Sequence, residues 1–64
     1  MTLRELEQVL RGEIVASIQW ADEEQRLREV LTHVNLIKFA TDEILNKEVA
    51  RVDIINNVVE IFLK

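Results

Sequence analysis

The segment from Ala50 to Leu63 can be laid out as a β-hairpin residue by residue, and no other feature restricts the fold as much. With Asn56 and Asn57 at the centre of a tight turn, Ile55 faces Val58, Ile54 faces Val59 and Asp53 faces Glu60. Val52 then faces Ile61, Arg51 faces Phe62 and Ala50 faces Leu63. One face of this hairpin, formed by Ala50, Val52, Ile54, Val59, Ile61 and Leu63, is wholly apolar and is expected to be buried. The other alternates Arg51, Asp53 and Glu60 with Ile55, Val58 and Phe62. Asparagine tolerates positive φ better than any residue but glycine, so Asn-Asn suits a two-residue turn. A helix here would be apolar almost all the way round in a run dense with β-branched side chains, which excludes it. The register has one unfavourable pair, Asp53 opposite Glu60.

A chain of 64 residues makes one small domain, residues 1–64, and must use nearly every apolar group to offset the entropy of ordering. There is no cysteine and one histidine, so neither a disulfide nor a structural zinc site is expected, and nothing suggests a cofactor. Eight basic against twelve acidic residues give a net charge of −4, which disfavours direct binding to nucleic acid or an anionic membrane and suits a basic protein partner. No signal-peptide pattern and no long apolar run is present, so a soluble protein of the cytoplasm is expected.

At the front, Thr2 and Glu5 form a capping box, Leu3, Leu6, Val9 and Leu10 make an apolar stripe, and Gly12 is placed as a stop. This predicts a short amphipathic helix. From Glu13 to Trp20 the period becomes two, with Ile14, Ala16, Ile18 and Trp20 on one face, which predicts a strand. The middle admits two readings. In one, Ala21 to Gln25 is a turn and Arg26 to Leu31 a second strand. In the other, Asp22 and Gln25 cap a helix carrying Leu27, Val30, Leu31, Val34 and Ile37 at helical spacing, and propensity leans towards it. Residues 26–40 are therefore strand or helix on residue pattern alone. Either way a further helix spans Asp42 to Lys47, with Thr41 or Asp42 as its cap and Ile44 and Leu45 facing inward.

Asp42-Glu43-Ile44-Leu45-Asn46-Lys47-Glu48-Val49, running into Ala50 to Ile54 and Val58 to Leu63, resembles the end of a class of very small acidic proteins. Met1-Thr2-Leu3-Arg4-Glu5-Leu6 is similar to their opening. Such proteins are encoded by phages and mobile elements of low-GC Gram-positive bacteria, and some are anti-CRISPR or other anti-defence inhibitors. They tend to pair a short helix with a first hairpin and a second helix with a final hairpin. The resemblance implies an α+β fold with two helices on a small antiparallel sheet in the order αββαββ. The alternative is αβαββ with a longer second helix. The lack of a glycine at Asp22 to Gln25 departs from the pattern.

Enzymatic chemistry has little material. Ser17 lies in a strand pattern without nucleophile-elbow glycines, cysteine and tyrosine are absent, and His33 is the only imidazole. No phosphate-binding glycine loop or calcium-loop spacing is present. The expected function is non-enzymatic protein binding, as a phage or mobile-element accessory protein that inhibits a host factor such as a CRISPR nuclease. The candidate contact residues are Asp22, Glu23, Glu24 and Glu29, which can offer spaced negative charge to a basic nucleic-acid-binding protein, with Trp20 and Phe62 as apolar anchors. Each has a plainer reading, the acids as a solvated turn and Trp20 as the largest piece of the core. The alternative function is a self-associating structural or assembly domain, a homodimer formed through a sheet edge or the Phe62 face.

Overall fold

The computed structural model describes residues 1–64. Helix α1, Leu3–Glu7, is followed by strands β1, Val15–Ala21, and β2, Leu27–His33. A 3-10 helix, Val34–Phe39, leads to helix α2, Asp42–Leu45, and the chain closes with β3, Val49–Ile55, and β4, Val58–Leu63. The strands form one sheet in the order β2-β1-β4-β3. The α+β class is as expected, but the element order gains the 3-10 helix, and the expected antiparallel sheet is corrected to a mixed one. β1 pairs antiparallel with β2 and parallel with β4, joining the two hairpins through their inner strands.

Between β1 and β2 the hairpin reading holds and the long helix does not form. Asp22 and Arg26 close the turn through the Asp22 N–H to the Arg26 carbonyl at 3.1 Å, and Gln25 N–H donates to the Asp22 carbonyl at 2.9 Å. Gln25 takes the left-handed conformation, φ +63°, that a three-residue hairpin loop requires after its type I turn. Pairing with β2 satisfies one whole edge of β1, a tertiary gain that local helix propensity cannot match. Helical spacing reappears only after His33, where Val34 and Ile37 turn inward on the 3-10 helix and are buried.

The final hairpin has the expected register from Ile55–Val58 to Arg51–Phe62, with Asn56 and Asn57 at φ +51° and +65°. A bulge between Val49 and Arg51 changes the last pair, so that Leu63 faces Val49 and not Ala50. Replacing Gln25 or Asn57 by glycine removes a left-handed side-chain penalty, and each variant is expected to gain up to about 1 kcal/mol in chemical denaturation.

α1 begins with the expected capping box, Glu5 N–H on Thr2 Oγ1 and Thr2 N–H on Glu5 Oε1. It is shorter than expected, and Gly12, at φ +104°, lies in the following loop and does not cap it. Thr41 caps α2 by accepting from Ile44 N–H. These helices and the 3-10 helix lie on one side of the sheet, where Leu3, Leu6, Val34, Ile37 and Leu45 pack on Ala16, Ile18, Val59, Ile61 and Leu63. The hairpin face expected to be buried is therefore only half buried. Its β4 residues are in the core, whereas Ala50, Val52 and Ile54, on the terminal strand β3, are exposed.

Candidate functional site

Residues paired across strands share a face, so the register defines what the helix-free side presents. One row runs His33, Val15, Val58, Ile55. The next runs Leu31, Ser17, Glu60, Asp53, and a third Glu29, Gln19, Phe62, Arg51. Leu27 extends the face beside Ala21. No helix or loop element covers this side, and Leu27, Leu31 and Ile55 keep 67%, 66% and 52% of their surface accessible. Leucines this open on a regular strand gain nothing from their position in the isolated chain.

The centre of the face is organised by polar groups. Ser17 is buried; its hydroxyl donates to Glu29 Oε1 at 2.9 Å and accepts from Gln19 Nε2 at 3.2 Å. Towards β3, the Arg51 guanidinium sits 4.2 Å from the Phe62 ring centroid while its Nε pairs with Asp53 Oδ2 at 3.0 Å. Glu29, Asp53 and Glu60 outnumber the single cation Arg51, leaving the face negative.

The six residues singled out from sequence fall into two groups. Glu29 and Phe62 share the third row of the open face. Trp20, half-buried at the margin of the core, joins Asp22, Glu23 and Glu24 around an open, polar concavity of about 530 Å³ at the first turn. Trp20 packs against the core with one side and lines this concavity with the other. The turn acids are not equivalent. Asp22 Oδ1 accepts from the backbone N–H groups of Glu24 and Arg26, each at 3.0 Å, and Oδ2 accepts from Arg28 Nε at 3.1 Å. Glu24 pairs with Arg26. Two of the three turn charges are thereby met within the chain, and Asp22 builds the loop. Sequence reasoning missed this role, although aspartate at the first position of a turn is a recognisable signal. It also missed Leu27 and Leu31, and left open whether a helix covers the face of Ile55, because alternation marks two faces without saying which one the helices cover.

The Arg26 backbone N–H, helped by Glu24 N–H and the Arg28 guanidinium, holds the Asp22 carboxyl below its ordinary range against the opposing effect of desolvation. The Thr2 backbone N–H, with the Thr2 hydroxyl, lowers Glu5 likewise. A carboxyl whose folded value lies below its unfolded one stabilises the fold fully above the unfolded value, about 4, and loses that contribution as pH falls through the folded value. The melting temperature is therefore expected to drop on acidification below about pH 4, and Asp22→Asn to make that drop shallower, as a pH series of thermal melts measures.

His33 lies beside Glu13, Asn35 and Leu36 in an open corner at the end of β2. No group of three or more histidine and carboxylate side chains is placed to hold a metal ion, and no helix is long and apolar enough to cross a membrane. Comparison with protein-family models, characterised proteins and solved structures finds no match to this chain.

Proposed function

We propose that this chain is a non-enzymatic protein-binding accessory protein of a phage or mobile element, and that it inhibits a host factor such as a CRISPR nuclease by docking the helix-free side of its sheet. The observation that carries the binding part is the exposure of Leu27, Leu31 and Ile55 on a regular, uncovered face. Exposed apolar side chains interspersed with polar groups on one uncovered face suit an interaction site. The excess of Glu29, Asp53 and Glu60 over Arg51 selects a partner that offers basic side chains together with apolar ones, as a nucleic-acid-binding protein does. Phage origin and inhibition rest only on the resemblance of the Met1 to Leu6 and Asp42 to Leu63 stretches.

The test is capture from a Gram-positive bacterial lysate, followed by titration of the recovered protein at low and physiological salt. Leu27→Ser, Leu31→Ser and Ile55→Ser combined remove no buried side chain, and are expected to leave the fold intact while weakening binding at least about 30-fold. Unchanged affinity in this variant, with loss on replacing Asp22, Glu23 and Glu24 by serine, would move the contact to the acidic turn.

A second reading, a self-associating structural domain, is favoured by one observation. β3 ends the sheet, and its exposed side chains include Val52 and Ile54, which no element of the chain covers.

A further inference from the structure

β3 is an edge strand whose bulge, charges and covering segment leave the backbone of Val52 and Ile54 bare. Edge strands are commonly protected by lysine, proline or a covering segment, because their outward N–H and C=O groups accept any strand that fits. Here the two-residue turn makes Ile55–Val58 the closing hydrogen-bonded pair, so Asp53 and Arg51 also bond inward to β4. Val52 and Ile54 then direct their backbone groups outward. The lower end of the edge is closed by the chain's own start, with Leu3 N–H on the Lys47 carbonyl at 3.0 Å and Val49 N–H on the Met1 carbonyl at 2.7 Å. Ala50 to Ile54 remains open.

That open stretch, Ala50-Arg51-Val52-Asp53-Ile54, is complementary to itself when reversed about Val52. We infer that the occupant of the β3 edge is a second copy of this chain, paired antiparallel with Val52 opposite Val52 of the other copy. The inference rests on the self-association reading and adds its surface and register. In this register Val52 exchanges both backbone hydrogen bonds with its counterpart, and the flanking pairs are non-hydrogen-bonded positions where side chains approach most closely. Those flanking pairs are Arg51 with Asp53 of the second copy and the reverse, so the Arg51–Asp53 ion pair already present within each chain becomes an alternating cluster of four charges. On the helix side, Val52, 40% exposed in one chain, meets its counterpart, Ile54, 74% exposed, meets Ala50 of the second copy, and the two sheets join into one of eight strands.

Neighbouring registers are worse for reasons visible in the same residues. Centring on Asp53 sets Asp53 against Asp53. Centring on Arg51 sets Arg51 against Arg51 and carries the incoming strand two residues further past Val49, where Met1 already occupies the edge. The helix-free face does not favour a second copy in this way, because stacking two such faces about a two-fold axis brings their excess carboxylates together.

Sedimentation equilibrium over a range of concentrations tests the inference on the wild type, Arg51→Asp, Asp53→Arg and the double exchange Arg51→Asp with Asp53→Arg. The wild type is expected to dimerise, each single reversal to weaken the dimer about 10-fold or more by placing like charges opposite each other, and the double exchange to recover most of the loss. Far-ultraviolet circular dichroism confirms that each variant is folded. Val52→Pro supplies a second probe: it removes an outward N–H that the chain's own ladder does not use, and is expected to leave a folded monomer. A wild type that stays monomeric at millimolar concentration overturns self-association itself. A dimer that ignores the single reversals, or is not recovered by the exchange, overturns the Val52-centred register while leaving self-association standing.

Discussion

Ile61→Asp is expected to leave the chain unfolded at room temperature. Ile61 is wholly buried at the centre of β4, between Ile18 of β1 and Val52 of β3, beneath the helices. A carboxylate there has no partner and costs several kcal/mol, whether it stays charged or takes up a proton, against a total stability of about 5 kcal/mol for a domain of this size. The paired control is Val52→Asp. By hairpin periodicity alone it is expected to be as damaging, since Val52 and Ile61 share a face. That expectation is corrected by the edge position of β3: Val52 is partly solvated, and the aspartate is expected to cost about 1 kcal/mol or less in the monomer. Urea denaturation of the two variants side by side separates a face that is apolar in pattern from one that is buried in fact.

Ile37→Ala is expected to cost about 3 kcal/mol and to lower the melting temperature by roughly 15 °C. Ile37 is fully buried on the 3-10 helix, an element that neither reading of the sequence contains. With Val34 it fills the space between α1 and the sheet, and the Val34 N–H is tied to the Ile14 carbonyl at 2.9 Å, which fixes where the connection leaves β2. Phe39, two residues further on, is larger but largely exposed, so Phe39→Ala is expected to change stability by less than about 0.5 kcal/mol. The contrast between a small buried residue and a large exposed one, read by calorimetry, tests whether the 3-10 segment is a core element or a loop.

The parts of the fold legible in the sequence are those set by neighbours along the chain. The Asn56-Asn57 turn, four side-chain pairs beyond its closing pair, the Thr2–Glu5 capping box and the Thr41 cap all follow from local chemistry. The parallel pairing of β1 with β4 was not legible, because strand periodicity states which residues share a face and not which strand lies alongside. The bulge at Ala50 has no residue signal of its own, and arises where Val49 must also serve Met1 on its other side. In the middle segment, the spacing of Val30, Val34 and Ile37 fits a helix as well as a strand followed by a 3-10 turn. Long-range pairing to β1 decides between them. For the candidate site, the acids of the first turn were found by composition, but the work Asp22 does inside the turn appears only once its three donors are in place.

The claim on which the functional account rests is that this small domain buries one side of its sheet and leaves the other side and the β3 edge bare. Amide hydrogen exchange resolved by residue tests the edge most directly, in a sample dilute enough to sediment as a monomer. The amides of Arg51 and Asp53, bonded to β4, are expected to be protected, and those of Val52 and Ile54 to exchange close to the rate of an unstructured peptide. Strong and equal protection of all four amides in the monomer would mean that the edge is covered within a single chain, contradicting the account.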